Sequence, residues 1–220
     1  MVKVLGAVGV LAVGVALTFV AIRSVDAVSA EAEDESQEAL TSETSDVWHD
    51  ENGNVCYALM PGDEGWEEMM ANTKTGSGNY EARFESIDIP VSILEPLSTE
   101  ELLRLAIINP LAEMEIGISS DSTGAEGVAR MVNRSNVYEV LMNRDDVIET
   151  IYAVQDELYE DVKDCLHDMT YERAGVDLEM SSIESTYKWE LTTYINYIEQ
   201  NKTLTEEQED MIKELRLMLM

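Results

Sequence analysis

Histidine and cysteine are nearly absent from this chain, with two of each in 220 residues. A zinc site wants three or four Cys or His ligands in close pairs. The only close pair is Cys165-x-His167, and on an amphipathic helix it reads as a core Cys beside a surface His. No metal site is assigned. Basic residues are scarce as well, 14 against 45 acidic, for a formal charge of -31. A phosphate backbone would repel such a chain, so direct nucleic-acid binding is disfavoured. An anionic membrane surface would repel it too, and the charge mainly keeps the chain soluble. There is no Gly-x-Ser-x-Gly elbow and no Gly-x-x-x-x-Gly-Lys phosphate loop. A Cys165 nucleophile with His49 as base stays open, but no third, orienting group is near either in sequence. Paired carboxylates are plentiful by chance alone. The aromatic platforms of a sugar site are not, since Trp48, Trp66 and Trp189 are dispersed. No catalytic residue and no cofactor is expected.

What the chain does contain begins with an apolar run from Val4 to Ile22, flanked by Lys3 and Arg23 and followed by Val28-Ser29-Ala30. Two readings fit residues 1–30: a secretory signal cut after Ala30, or an uncut membrane anchor of nearly bilayer-spanning length. Both place the rest outside the cytoplasmic membrane, and the membrane is then met only through this segment. Residues 31–46, EAEDESQEALTSETSD, have too few apolar residues to offset ordering entropy and read as a disordered acidic spacer.

Residues 47–89 are expected to form a small β-containing appendage. Asn52-Gly53 between Val47-Trp48 and Val55-Cys56-Tyr57 is a hairpin turn signal. The Asp50-x-Asn52-x-Asn54 spacing resembles a calcium loop. It fails as an EF-hand, with Val55 where the turn Gly belongs and Pro61 where the bidentate Glu belongs. Residues 63–79 read as loop, and Tyr80 to Ile87 alternates polar and apolar, as one more strand would.

From Pro90 the period becomes helical, and residues 90–220 are expected to form the helical domain. Ser98 with Glu101 is a capping box, and Pro110 ends that helix. Asp121, Ser122 or Thr123 is expected to cap the next, and Ser135 another. Val147, Ile148, Ile151, Tyr152, Leu158, Tyr159, Val162, Cys165, Leu166 and Met169 recur at three and four. Ile183, Tyr187, Leu191, Tyr194, Ile195 and Ile198 repeat the signal, and Thr205 with Gln208 is a second capping box. The fold class is therefore mainly α: a bundle or short array of about six helices carrying a small N-terminal β-hairpin.

Ser98-Thr99-Glu100-Glu101-Leu102, Asn109-Pro110-Leu111, Ser135-Asn136, Glu139-Val140-Leu141 and Arg144-Asp145 resemble a loose group of small exported bacterial proteins of gut-anaerobe type. The resemblance covers about residues 87–150. It implies export and a helical unit, and it carries over no catalytic residue.

Two sets of side chains remain. Arg104, Arg130, Arg134 and Arg144 are concentrated in a very acidic chain. They suit an anionic ligand or a partner's carboxylates; the alternative is pairing with Glu113, Glu115, Glu126, Glu139 or Asp145. Cys56 and Cys165 are candidates for one disulfide in an exported chain, while Cys165 also fits the apolar stripe as a plain core residue. The expected function is an exported or surface-associated, non-enzymatic binding protein with an unidentified protein or cell-surface partner. The alternatives are an extracytoplasmic carboxylate-dependent hydrolase and a structural partner in a membrane-associated assembly.

Overall fold

The computed structural model describes residues 48–50, 52–71, 78–117, 121–175 and 177–220, all within one compact unit. The expected signal or anchor, the acidic spacer and Val47 lie outside the described residues. Ten helices occur among the described residues: α1 Trp66–Ala71, α2 Gly78–Ile87, α3 Val91–Leu94, α4 Thr99–Ile107, α5 Ala112–Gly117, α6 Ala125–Val132, α7 Asn136–Asn143, α8 Val147–Ala174, α9 Met180–Asn201 and α10 Glu206–Met218. The chain is mainly α. None of these helices is long and apolar enough to cross a membrane.

The six expected helices are α4 and α6 to α10; α1, α2, α3 and α5 are additional. The expected strand over Tyr80 to Ile87 is helix α2. Phe84 and Ile87, three apart, are both buried in the core; one helix face supplies that spacing, whereas a pleat would turn the two to opposite sides. The expected loop after residue 63 holds α1. The expected hairpin is one antiparallel bridge, His49 to Val55, with no strand among the described residues. Its turn is held by Asp50, whose carboxylate accepts from the amides of Asn52 at 2.8 Å and Asn54 at 2.9 Å and from the Asn54 side chain at 3.0 Å. Those bonds, chiefly the one from the Asn54 side chain, hold the Asp50 carboxyl below its usual range.

Both capping boxes form: Ser98 accepts from the Glu101 amide, and Thr205 accepts from the Gln208 amide. The other two expected caps form only in part. Gly124, at φ 74°, is the N-cap of α6, and Thr123 Oγ1 accepts from the Ala125 amide at 3.3 Å. Ser135 is the N-cap of α7 but makes no side-chain cap bond. Asp88 does so instead, accepting from the Asn136 amide at 2.8 Å.

The core is continuous. Tyr57, Trp66, Phe84, Ile87 and Ile89, from the segment expected to stand apart, join Leu102, Ile107, Val128, Leu141, Ile151, Leu158, Leu191 and Ile198 in one buried cluster. Helix α4 packs on α7 and α8, α9 on α6 and α8, and α10 on α8. Pro110 has no N–H, so the last carbonyls of α4 need other donors. Two tyrosines supply them. Tyr57 donates to the Leu105 carbonyl at 2.9 Å, and Tyr138 donates to the Ala106 carbonyl at 2.9 Å. Asn109 donates to Tyr57 at 3.0 Å, and the Tyr194 hydroxyl lies 2.8 Å from that of Tyr138. Burial pushes the phenols of Tyr57, Tyr138 and Tyr194 far above their usual range, so they remain donors.

Candidate binding site

The four arginines are placed in three different settings. Arg130 and Arg134 converge on the buried carboxylate of Glu115 of α5, at 3.6 and 2.7 Å, and Arg130 also donates to the Glu115 carbonyl at 2.7 Å. The Arg134 guanidinium lies 5.9 Å from the centre of the Phe84 ring. Arg104 pairs with Asp161 of α8 at 2.8 Å. Arg144 donates to the carbonyls of Glu95 and Leu97 at 2.8 and 3.0 Å, pinning the turn between α3 and α4. The structure therefore brings two of the four together, on an internal partner, and each of the four has a contact that ties one segment to another.

Cys56 and Cys165 are free, half-buried thiols. Burial pushes both up from their usual range, and Arg104 pulls both slightly down. His167 lies between Asp177 at 2.9 Å and Asp168 at 3.4 Å, and bonding to Asp177, then to Asp168, raises its pKa. Among the described residues, no group of three or more His, Cys, Asp and Glu is placed to hold a metal ion.

A different site is assembled by the additional helices. A groove of about 470 Å³ is lined by Trp66, Glu67 and Met70 of α1, Glu113 and Met114 of α5, and Thr170 and Glu172 near the end of α8. Its volume suits a small organic ligand. The turn before α1 sets the indole in place: the Asp63 carboxylate accepts from the Met60 amide at 2.7 Å, and the Asp63 carbonyl accepts from the Trp66 amide at 3.1 Å. Trp66 and Met70, one helical turn apart, then share a face. The Trp66 ring is only 5% exposed and forms apolar floor, whereas Met70 and Met114 are half-buried. Arg83 of α2 donates to the Met70 carbonyl at 3.1 Å, holding the end of α1.

On the other wall, Glu172 passes close over Gly62. A Cβ at position 62 would come within 3.1 Å of the Glu172 Cγ, and Gly62 has φ 94°, so glycine is required there for both reasons. A narrow recess beside the groove shares Glu113 and Thr170 with it and is also lined by Glu190 of α9, which is 2% exposed.

None of the groove residues was singled out from sequence as a site. Trp66 stood out only as one of three scattered tryptophans, inside a stretch read as loop. The available signal was Trp66-Met69-Met70, apolar at three and four, after a Gly-rich turn. Compared with protein-family models, with curated proteins and with solved structures, the chain matches none.

Proposed function

We propose that the chain is an extracytoplasmic, non-enzymatic binding module whose working surface is the groove between α1, α5 and the end of α8. One observation carries this reading: the half-buried Met70 and Met114 side chains, backed by the buried Trp66 ring, form an apolar floor to an open groove. Tryptophan and methionine are the side chains that give the most contact for the least rigidity cost and adapt to a bound partner. The arginines, by contrast, already serve helix-to-helix contacts, so recognition is assigned to the groove and not to them. Export is supported by the apolar run at residues 4–22, by Val28-Ser29-Ala30, and by the resemblance to exported bacterial proteins. The acidic spacer would hold the folded unit away from the membrane.

The test follows the Met70 and Met114 methyl signals and the Trp66 indole signal by NMR while a fragment set of neutral, anionic and cationic aromatics is added. Saturable shifts confined to these three residues are expected from at least one class. If none of the fragments moves them, the groove is not a binding surface. Intact mass of protein from the extracytoplasmic fraction is expected to correspond to a chain starting at Glu31. A mass that includes residues 1–30 would assign that segment as an anchor.

A further inference from the structure

We propose that Met218 is a site of reversible oxidation, and that its sulfoxide fastens the end of α10 to α8. A row of side-chain contacts joins these two helices at every third residue of α8. Glu149 accepts from the Gln208 side chain at 2.9 Å, Tyr152 donates to the Glu214 carboxylate, and Gln155 donates to the Met218 sulfur at 3.6 Å. The first two contacts have oxygen as the acceptor. The third has a thioether, a weak acceptor, facing a residue that is only 7% exposed. A buried amide in that position is poorly compensated for the water it has lost. Both helices are held in place around it. Tyr187 of α9 donates to the Gln155 carbonyl at 2.5 Å, and Leu215 and Leu219 are buried on either side of Met218.

The Met218 side chain is within reach of an oxidant. It is 41% exposed, whereas Met131, Met142 and Met169 are buried. Hydrogen peroxide supplies the chemistry. A sulfur lone pair attacks one peroxide oxygen, the S–O bond forms and the O–O bond breaks. The sulfur loses two electrons, the peroxide gains them, and its second oxygen leaves as water with both protons. A methionine sulfoxide ordinarily disrupts the apolar contacts around it. At this position little apolar contact is lost, because the side chain already stands partly in water. The new oxygen is a strong acceptor, and it forms beside a donor that has only sulfur to bond. Oxidation therefore tightens the contact between α8 and α10 instead of loosening it. Methionine sulfoxide reductases return the thioether, so the contact can be set and released.

The experiment treats the full chain with dilute hydrogen peroxide and follows Met218 by the mass of its peptide. Met180 and Met220, 40% and 97% exposed, are replaced by leucine so that their oxidation does not contribute, and the same chain with Met218→Leu is treated identically as the reference. Met218 is expected to gain one oxygen. Relative to the reference, the denaturant midpoint is expected to rise, the Gln155 side-chain amide signals to shift, and the amides of the last turn of α10 to exchange about threefold more slowly. In Gln155→Leu, oxidation is expected to lower the midpoint, because the new oxygen then has no donor. A midpoint that does not rise on oxidation of Met218 overturns the proposal. So does a Gln155 amide that does not shift, which is read with Gln155 in place and holds even if Gln155→Leu fails to fold. A Met218 that stays unoxidised while Met180 of the parent chain reacts overturns it as well.

Discussion

Ala112, Glu115 and Ile116 of α5 are buried, whereas Glu113 and Met114, which lie between them, line the open groove. The six residues of this helix thus separate two environments. On the sealed side, α6 comes so close that Gly127 touches Ile116 backbone to backbone, and the carboxylate that α5 buries, Glu115, is claimed by Arg130 and Arg134. On the open side, carboxylates and thioethers share a surface with the indole of Trp66. The contrast shows how the chain spends its few cations. Two of them, Arg130 and Arg134, are drawn to the carboxylate that burial would otherwise leave costly.

Four substitutions or conditions would break this comparison or sharpen it. The largest effect is expected at the seal. A Cβ on Gly127 would lie 2.5 Å from the Ile116 Cα, and backbone cannot move aside as a side-chain tip can. Gly127→Ala should therefore cost about 3 kcal/mol or more, read as a drop in the denaturant midpoint. An unchanged midpoint would mean that α5 and α6 are not in contact. Next comes the tyrosine that closes α4 from the same sealed interior. Tyr57→Phe leaves the buried Leu105 carbonyl and the Asn109 amide without their partner and should cost about 2 kcal/mol, in the same measurement.

The third concerns pH. Burial raises the Asp88 carboxyl from 3.8 to about 6, so the folded state prefers it protonated. Its contribution to stability is fully present below the unfolded value and is lost as pH rises towards 6. Because Asp88 is only partly buried, the effect should be about 1 kcal/mol after allowing for solvent screening. Acidification also relieves the general negative charge, so Asp88→Asn is the control. The gain of this variant over the parent should be larger at pH 7 than at pH 4.5, and an equal gain at both would remove Asp88 as the source. The smallest stability effect is expected on the open side. Met114→Ala should change the midpoint by only about 0.5 kcal/mol while weakening the shift of the Trp66 indole on adding the aromatic fragments. A large loss of stability there would show that Met114 belongs to the core.

These expectations also divide what the sequence makes legible from what it hides. Ser98 with Glu101 and Thr205 with Gln208 are local devices, complete within four residues, and both form as read. The long apolar periods of α8 and α9 are equally plain, and most residues they select are buried, with Tyr152 exposed and Tyr159 and Cys165 half-buried. Ser135 was the natural cap for α7, but the bond comes from Asp88, 48 residues earlier, and no local rule reaches that far. The alternation of Tyr80, Ala82 and Phe84 reads as a strand, and only the three-residue step from Phe84 to Ile87 points to the helix face that forms. The groove is hidden for the same reason as the cap: its walls come from three separate stretches, and only packing brings Trp66, Met114 and Glu172 to one place.

The distant cap has a further consequence, for the order in which the chain folds. Helices α4 and α10 carry their own start signals and can nucleate early. An isolated eight-residue helix such as α7 is marginal in water, and its N-terminal amide gains an acceptor only after the intervening chain has closed into a loop, at an entropic cost. Helix α7 should then be consolidated late, with the whole unit. In hydrogen exchange the Asn136 amide should open together with global unfolding, while in Asp88→Ala it should exchange through local fraying long before the rest of the protein lets go.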